Sequence, residues 1–489
     1  MRCQHLPDYL VTVSGEAILK SSRTRPKFFN ALIRNISDAV SRAGGRAISV
    51  DVVEAKIHLV TDADVINAVS RVFGVYRVGR VLVYEFRDLS DLARWVAENS
   101  KDVVMGRRFA VRVKRSGAHS FTSIDVAREV GALLKPFSSG VDLDNPEAVV
   151  EVEVRGSKAF LYRDSVKGPG GLPTGVEGRA LVLFSGGFDS PIAAWYTARR
   201  GVEIDFLHFI LGPLESTYNA FSVAKKLSFD WLYGYRPKFI AIDFRDVVKE
   251  IVEKVDWSYR QVVLRALMYL AASKIAEELG YDAIVTGESL GQASSQTLKN
   301  IAAIESCVKV SKPILRPLIS FDKEEIIELS RRLGLYELSS KVVEACAIAP
   351  SKVVTAAPLD ALSKRLGSID MKVVEEALKK RIAVGVLDAR PEDVIPETDI
   401  EIDFIPSNAV VIDARRENTG ELPVENVVPL SKVDFDSIPH DRPIVIVCDT
   451  GGLSYVIAKE LREKGFKAYS LRGGAKTCKT LVEKARATQ

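Results

Sequence analysis

Several features that would place a chain in a particular class are scarce in this sequence. Its 489 residues include only five cysteines, and no two of them form a Cys-x-x-Cys pair. This argues against a disulfide framework and against a structural zinc site. No uninterrupted apolar run is long enough to span a membrane, and residues 1–5 lack the apolar core of a signal peptide. We therefore expect a cytoplasmic protein with reduced thiols and no membrane partner.

A strong charge of one sign is also missing, because the formal net charge of the whole chain is only +4. That small value hides an asymmetry. Residues 1–175 carry 26 Lys and Arg against 20 Asp and Glu, whereas the remainder has a net charge of −2. The N-terminal third is therefore the better candidate for binding a polyanion. The chain is too long for a single hydrophobic core, so several domains are expected.

One stretch combines a strand, a glycine turn and the start of a helix. An apolar run at residues 180–184 leads into Ser-Gly-Gly-Phe-Asp-Ser-Pro at residues 185–191. We predict a helix with Ser190 as its cap and Pro191 at its first position. Backbone N–H groups at such a helix start bind anions, and pyrophosphate is the natural occupant. An ordinary strand-to-helix turn is the alternative, and a kinase-type phosphate loop is disfavoured because no Gly-Lys-[Ser/Thr] follows.

Predicted strands and helices alternate from residue 176 to 388, which indicates a doubly wound parallel sheet. The predicted strands are residues 181–184, 204–209, 239–242 and 283–285, with a long helix before the last of them. Ligands of such sheets bind at the carboxyl ends of the strands. Residues 185–190, His208, Phe209 and residues 286–288 are therefore expected along one rim.

The N-terminal third is predicted to form two small α+β units, at residues 1–75 and 76–168. In the first, we predict strands at 9–13, 48–53 and 56–60 and a helix at 25–43. In the second, apolar and cationic side chains alternate over residues 109–114, and Thr122 and Asp125 have the spacing of a capping box. The cations that could hold RNA phosphates are Lys20, Arg25, Arg112, Lys114 and Arg115. A solvated surface is the alternative for them.

Two connectors rich in proline separate the remaining parts, at residues 165–175 and 390–398, and a last α/β domain is expected at 399–489. Its predicted strand at 444–447 ends directly in Cys448, and a helix is predicted at 455–464. A thiol that faces backbone N–H groups at a helix N-terminus is favoured as thiolate or persulfide. A buried cysteine at a strand end is the alternative. Phosphatase chemistry is disfavoured because Ser454 stands where Cys-dependent phosphatases carry an arginine.

These motifs carry a family resemblance that covers essentially the whole chain. The Ser-Gly-Gly-x-Asp-Ser turn resembles the PP-loop of ATP pyrophosphatases, residues 109–125 resemble a THUMP RNA-binding domain, and the Cys448 loop resembles that of rhodaneses. With residues 286–297 and 316–323 and the order of the domains, they are similar to the tRNA uridine 4-sulfurtransferase (4-thiouridine synthetase) family. The implied fold is multidomain α/β: ferredoxin-like (1–75), THUMP (76–168), PP-loop (176–388) and rhodanese-like (399–489).

The resemblance implies an enzyme that adenylates a tRNA uridine, at position 8, and releases AMP and pyrophosphate before sulfur replaces O4. The implied ligands and partners are ATP with Mg²⁺, tRNA, a cysteine desulfurase or other persulfide donor, and a reductant. The ATP contacts implied by the PP-loop and by matching position are Leu183, Phe184, Ser185, Gly186, Gly187, Ser190, His208, Phe209, Arg265, Gly287 and Gln296. Taken from the residues alone, Arg265 could be a surface cation.

The resemblance also implies three catalytic residues. Cys448 would carry the persulfide, Cys346 would close a disulfide with it, and Asp189 would organise the metal and the phosphates. From the residues alone, Cys346 is core filler and Asp189 caps a helix. Two other functions stay open: a sulfur carrier for thiamine thiazole biosynthesis that acts through the rhodanese-like domain, and a tRNA-binding protein with a degenerate catalytic centre. The oligomeric state is open as well, with a homodimer as the candidate.

Overall fold

The structure is a computed structural model that describes residues 6–212, 214–342, 353–396, 399–415, 422–424, 427–448, 452–475 and 478. The chain forms two compact units. The first comprises the residues up to Glu177 together with Ala198–Val202 and Phe229–Tyr235, and the second comprises the remainder. Two short segments inside the predicted PP-loop domain therefore belong to the N-terminal unit, which no local pattern indicated.

One mixed sheet organises the first unit. Its strands are β1 (Asp8–Val13), β2 (Ala47–Val53), β3 (Lys56–Thr61), β4 (Val75–Glu85), β5 (Arg108–Ser116), β6 (Gly140–Val141), β7 (Ala148–Arg155) and β8 (Lys158–Lys167), in the order β2-β3-β1-β4-β8-β7-β5-β6. The helices are α1 (Gly15–Ile18), α2 (Arg25–Arg42), α3 (Ile66–Val69), α4 (Leu89–Glu98), α5 (Lys101–Val104) and α6 (Ser123–Leu134). The long strand β4 pairs with β1 on one side and with β8 on the other. The two predicted N-terminal domains thus share one sheet.

Local sequence accounts for most of these elements. The apolar face of α2, including Phe28, Leu32 and Ile36, is buried, and the predicted capping box of Thr122 and Asp125 starts α6. The predicted strands and the helix at 25–43 are confirmed to within one or two residues. The connector predicted at 165–175 starts too early, because β8 runs to Lys167 through its pairing with β4.

The larger sheet of the second unit is made of β9 (Arg179–Leu183), β10 (Glu203–Ile210), β11 (Lys238–Asp243), β12 (Ala283–Val285), β13 (Ile314–Leu315) and β14 (Ile382–Gly385), in the order β13-β12-β9-β10-β11-β14. Its helices are α7 (Asp189–Arg199), α8 (Leu214–Trp231), α9 (Arg245–Lys254), α10 (Arg260–Glu278), α11 (Leu298–Cys307), α12 (Lys323–Arg332), α13 (Tyr336–Ser339), α14 (Leu359–Leu366) and α15 (Met371–Lys379).

This sheet confirms the predicted parallel core. Strands β9 to β13 pair in parallel, and Ala180, Leu181 and Val182 of β9 are fully buried, as expected for a strand covered on both faces. The edge strand β14 runs antiparallel to β11 and was not predicted. Four residues carry too little pattern to indicate a strand, and pairing along the edge of β11 decides their conformation.

A smaller parallel sheet follows. It contains β15 (Glu401–Ile402), β16 (Val410–Asp413), β17 (Val427–Pro429), β18 (Ile444–Val447) and β19 (Ala468–Leu471), in the order β15-β19-β18-β16-β17, together with α16 (Gly452–Glu463). Apolar clusters lie on both of its faces. Among the described residues, none of the helices is both long and apolar enough to cross a membrane.

Candidate functional site

A cavity of about 360 Å³ lies where β9, β10 and β12 end. This is the rim on which ligands of parallel sheets bind. Nine of the predicted nucleotide-binding residues line it, namely Leu183, Phe184, Ser185, Ser190, His208, Phe209, Arg265, Gly287 and Gln296, and so does Asp189. Gly186 and Gly187 belong to the same turn but do not line the cavity. The structure therefore brings the predicted set together, while the individual nucleotide contacts stay predictions.

The turn after β9 is shaped by Gly186 and Ser190. Gly186 has a φ of +80°, and a Cβ atom there would lie 2.5 Å from the Cα atom of Ala220. The Ser190 hydroxyl accepts the backbone N–H groups of Ser185 and Gly186 at 3.1 and 3.2 Å. The predicted helix start is wrong by two residues, because α7 begins at Asp189 and not at Pro191. Ser190 lies inside the helix, and its hydroxyl stabilises the preceding turn instead of capping the helix.

Gly287 brings a second segment to the same place. A Cβ atom on Gly287 would lie 2.8 Å from the backbone nitrogen of Ser190. Only glycine lets the chain after β12 approach the start of α7 so closely. The neighbouring residues Thr286 and Glu288 consequently point their side chains into one hydrogen-bonded group.

His208 is a neutral side chain in this cavity. Burial lowers the pKa of its imidazole to about 4. Its Nδ1 atom lies 2.8 Å from the Phe184 carbonyl oxygen, which accepts, so Nδ1 carries the proton. Its Nε2 atom lies 3.2 Å from the Thr217 hydroxyl and accepts from it. His208 therefore joins β9, β10 and α8 without contributing a positive charge.

Glu288 anchors a buried ionic network beside the cavity. Its side chain is 3% exposed and pairs with Arg265 and, at 2.7 Å, with Arg316. It also accepts the Tyr269 hydroxyl at 2.5 Å and the Thr286 hydroxyl at 3.1 Å. Burial opposes ionisation, but the neighbouring guanidinium groups hold the pKa of this carboxyl below its usual value. Arg265 is thus no surface cation: Glu288 fixes its direction.

Asp189 lies at the start of α7 with two polar neighbours. Lys323, the first residue of α12, places its ammonium 3.2 Å from Asp189 Oδ1, and the Gln292 amide donates to Oδ2 at 3.1 Å. The carboxylate therefore binds side chains from two other segments, whereas the residues alone indicated a helix cap. Lys323 is 38% exposed and remains accessible to a ligand.

Cys448 follows β18 directly and is 4% exposed. The Ser454 backbone N–H donates to its Sγ atom at 3.4 Å, and the Ser454 hydroxyl lies 3.3 Å from the same atom. The Ser470 hydroxyl lies 2.8 Å from that of Ser454. The Ser454 backbone N–H group therefore lies at hydrogen-bond distance from the sulfur, at the start of α16. Cys346, its predicted partner, lies outside the described residues.

The predicted RNA-binding cations already make contacts within the N-terminal unit. Lys20 lies over the Phe28 ring, and Arg25 donates to the Lys20 carbonyl oxygen. Arg112 donates to a backbone carbonyl, Lys114 lies 3.7 Å from the Glu151 carboxylate, and Arg115 donates to the Gly117 carbonyl oxygen. Arg25, Arg112, Lys114 and Arg115 are exposed. The predicted alternation of apolar and cationic side chains along β5 is confirmed. Glu151 and Glu153 of the neighbouring strand β7 lie opposite Arg112 and Lys114.

Three family models match consecutive parts of the chain. The ThiI ferredoxin-like domain matches residues 10–79, the THUMP domain residues 84–164, and the thiamine biosynthesis protein ThiI residues 175–371. A tRNA sulfurtransferase of Desulfurococcus amylolyticus is 54% identical over 482 residues, which cover 98% of this chain and 100% of that relative. The chain belongs to the tRNA sulfurtransferase family. Its predicted ferredoxin-like, THUMP and ThiI-type parts are confirmed, and the rhodanese-like assignment stays a prediction.

Some members of the tRNA sulfurtransferase family match a smaller part of this chain. A probable tRNA sulfurtransferase of Sulfurisphaera tokodaii is 40% identical over 371 residues, or 75% of this chain and 98% of that relative. Among solved structures, a 4-thiouridine synthetase in complex with RNA and with bound ATP gives a TM-score of 0.67 at 29% identity. That match covers 78% of this chain and 99% of the other. More than a fifth of this chain thus lies outside each of these two matches.

The sequence indicated that residues 286–288 lie on the rim, but it indicated no role for Glu288 or for Lys323. Lys323 closes the rim at Asp189, and Glu288 holds Arg265 and Arg316. Both lie in stretches that carried the family resemblance, at residues 316–323 and 286–297. Their roles depend on partners distant in sequence, so no local spacing singled them out.

Proposed function

We propose that this protein is a tRNA uridine 4-sulfurtransferase that adenylates a uridine, the one at tRNA position 8, and replaces its O4 by sulfur. The observation that carries the proposal is the single cavity that gathers the PP-loop turn, His208, Arg265 and Gly287. The similar 4-thiouridine synthetase, which was crystallised with RNA and bound ATP, supports both substrates. Cytoplasmic tRNA is the expected substrate.

In the adenylation step, the uridine O4 attacks the α-phosphorus of ATP and pyrophosphate leaves. The turn at residues 185–190 would hold the β- and γ-phosphates next to the N-terminus of α7. Arg265, which lines the cavity, and Lys323, which pairs with Asp189 of its wall, would supply positive charge against the negative charge of the phosphates. The activated O4 then leaves as AMP, which is a better leaving group than an oxide.

Mg²⁺ is compatible with these residues as an ion held mainly by the nucleotide. The described residues contain no group of three His, Cys, Asp or Glu side chains that could bind a metal by themselves. Mg²⁺ bound to nucleotides is typically held by phosphates and one or two carboxylates. Asp189 and Glu288 line the cavity, and because Glu288 is paired with two arginines, Asp189 is the carboxylate that would face the ion. When bound, the ion would neutralise phosphate charge.

In the sulfur step, Cys448 carries a persulfide received from a cysteine desulfurase or another persulfide donor. Its terminal sulfur attacks C4 and AMP leaves, and the thiolate of Cys346 then attacks Cys448 Sγ, which releases 4-thiouridine and leaves a disulfide. In the other order, Cys346 forms the disulfide first and releases sulfide, which attacks C4. Either way, a two-electron reductant must restore both thiols. The hydrogen bond from the Ser454 backbone N–H to Cys448 Sγ, with the Ser454 hydroxyl 3.3 Å from the same atom, supports the role of Cys448 as the carrier.

The test is incubation of the full chain with ATP, a persulfide source and unmodified tRNA, followed by nucleoside analysis. We expect 4-thiouridine together with equal amounts of AMP and pyrophosphate. If ADP and phosphate formed as the tRNA-dependent products, the adenylation assignment would be wrong. If residues 399–489 alone transferred sulfur and the full chain never modified tRNA, the sulfur-carrier alternative would replace the proposal.

A further inference from the structure

The small sheet with Cys448 is attached to the large sheet through α9 and the end of β11. The contact begins at Arg245, the first residue of α9, which is 2% exposed although it is charged. Its guanidinium pairs with Asp243 at the end of β11, with Nε at 2.9 Å and Nη2 at 2.7 Å from the carboxylate oxygens. Burying a charge is costly unless partners offset the lost hydration, and Asp243 accepts from Nε and Nη2, whereas Nη1 makes no hydrogen bond within the described part of the chain.

The other partners of Arg245 come from the small sheet and its helix. The Arg245 Cζ atom lies 3.3 Å from the centre of the Tyr455 ring in α16, which is a stacked cation–π contact. The Glu401 carboxylate of β15 lies 3.6 Å from Nη1 and is 1% exposed. The Arg245 side chain, at the start of α9, therefore contacts both α16 and β15 of the small sheet's domain.

Two ion pairs surround this contact. Lys459 of α16 lies 2.6 Å from Asp246, and Glu460 of α16 lies 2.5 Å from Lys249. The two helices thus face each other with opposite charges in both directions. Each pair is partly exposed and contributes little by itself, but together they fix one register of α16 along α9.

The contact lies close to both chemical centres. Tyr455 directly follows Ser454, whose N–H group and hydroxyl contact Cys448 Sγ. On the other side, Phe244 precedes Arg245 and packs edge-on against Phe209, a residue of the cavity wall, with ring centres 4.7 Å apart. The Arg245 contact therefore joins the helix that holds the sulfur to the strand ends that form the cavity.

We propose that Arg245 is a positioning residue that docks the Cys448 domain on the rim of the large sheet for sulfur delivery. The inference rests on the proposed function, because it assigns a purpose to the docking. The three matching family models end at residue 371, so the Cys448 domain lies outside the parts that they match and needs its own docking surface. Arg245, Tyr455 and Glu401 with the two ion pairs form that surface.

The docking itself is tested by zero-length cross-linking of the full chain with a carbodiimide, which joins amines to carboxylates in direct contact. We expect amide links between Lys459 and Asp246 and between Lys249 and Glu460 in peptide maps. Lys459→Gln should remove the first link only. The double variant Asp246→Lys with Lys459→Asp exchanges the amine and the carboxylate, so the link between positions 246 and 459 should form again. Absence of both links in the native chain would overturn the docking, whatever its activity.

The positioning role is tested at Tyr455, which is not among the described residues that line the cavity. Tyr455→Ala removes the ring under Arg245, and Tyr455→Phe keeps it as the matched control. With Cys448 preloaded with persulfide, we expect Tyr455→Ala to slow sulfur transfer to tRNA by about tenfold to a hundredfold. Persulfide loading and AMP formation should stay within about twofold of the native values in both variants.

The outcomes separate the two proposals. Cross-links with no thiolation by the native chain would retain the docking and refute the proposed function. Transfer by Tyr455→Ala at the native rate would refute the positioning role and leave the proposed function intact. Arg245→Lys keeps the positive charge but loses the planar guanidinium that packs on the Tyr455 ring, so this variant should transfer sulfur more slowly than the native chain. Tyr455→Phe keeps the ring and should transfer sulfur at the native rate.

Discussion

Both sheets of the second unit carry candidate functional groups at the carboxyl ends of parallel strands, but the surroundings of these groups differ. In the large sheet, the strand ends surround a cavity of about 360 Å³ with an ionic network in its wall. In the small sheet, Cys448 follows β18, and its sulfur accepts a hydrogen bond from the Ser454 backbone N–H group of the next helix. A nucleotide needs volume and several charges, whereas a sulfur atom needs one nucleophile and a few donors. Under the proposed function, two sheets with different strand orders would therefore serve two kinds of chemistry through the residues at their strand ends.

The largest expected effect separates the two sheets directly. Cys448→Ser changes one atom and should reduce tRNA thiolation to background, because no sulfur can be loaded, yet leave tRNA-dependent AMP formation intact. Asp189→Ala should do the opposite: it removes the carboxylate beside Lys323 and should slow AMP formation while persulfide loading on Cys448 continues. Radiolabelled ATP and a persulfide assay measure both steps. If both variants lost the same step, the assignment of AMP formation to the large sheet and of persulfide loading to the small sheet would be wrong.

The next effect concerns the stability of the large sheet. Glu288→Gln leaves the guanidinium groups of Arg265 and Arg316 without a buried counter-charge, and breaking a buried pair costs about 3–5 kcal/mol. Glu305→Gln is the matched control, since Glu305 pairs with the same Arg316 at 2.5 Å but is 42% exposed. We expect its cost to stay below about 1 kcal/mol. Denaturant unfolding followed by tryptophan fluorescence compares the two; equal costs would mean that the network is not an anchor.

A third effect depends on pH and again distinguishes the sheets. His208 has a pKa of about 4 when folded and 6.5 as the reference value. As the pH falls, His208 is protonated in the unfolded chain before it is protonated in the folded one. The contribution of neutral His208 to the free energy of unfolding is therefore complete above pH 6.5 and is lost as the pH decreases towards 4. The loss is on the order of 3 kcal/mol. His208→Gln should remove this slope from the unfolding of the large sheet, and an unchanged slope would contradict the buried neutral state.

The smallest effect concerns the N-terminal unit. If Arg112 or Arg115 contacts a phosphate, its replacement by alanine should lower the slope of log affinity for tRNA against log salt by about 0.7–0.9. Lys114→Ala should change the slope less, since Glu151 lies 3.7 Å from the ammonium and competes with phosphate. Lys380→Ala in the second unit is the control. Unchanged slopes for Arg112 and Arg115 would show that this surface is merely solvated.

Local patterns were sufficient for much of the fold. The alternation along β5, the capping box of α6 and the apolar run of β9 predicted their elements because each depends on neighbours within a few residues. The Gly186 turn and the position of Cys448 after β18 were predicted for the same reason. Pairing partners of short edge strands such as β14 and the exact start of α7 were missed, because contacts with distant segments decide them.

The sequence by itself thus determined the order of the elements, the glycine turn, the strand-end cysteine and, through the matched motifs, the family. Only the tertiary structure decided that Glu288 holds Arg265, that Lys323 pairs with Asp189 across 134 residues, and that His208 is neutral. It also decided that Arg245 lies buried against Tyr455. The physical reason is that charge state and pairing depend on burial and on groups brought together by the sheet, and neither is encoded in the spacing of nearby residues.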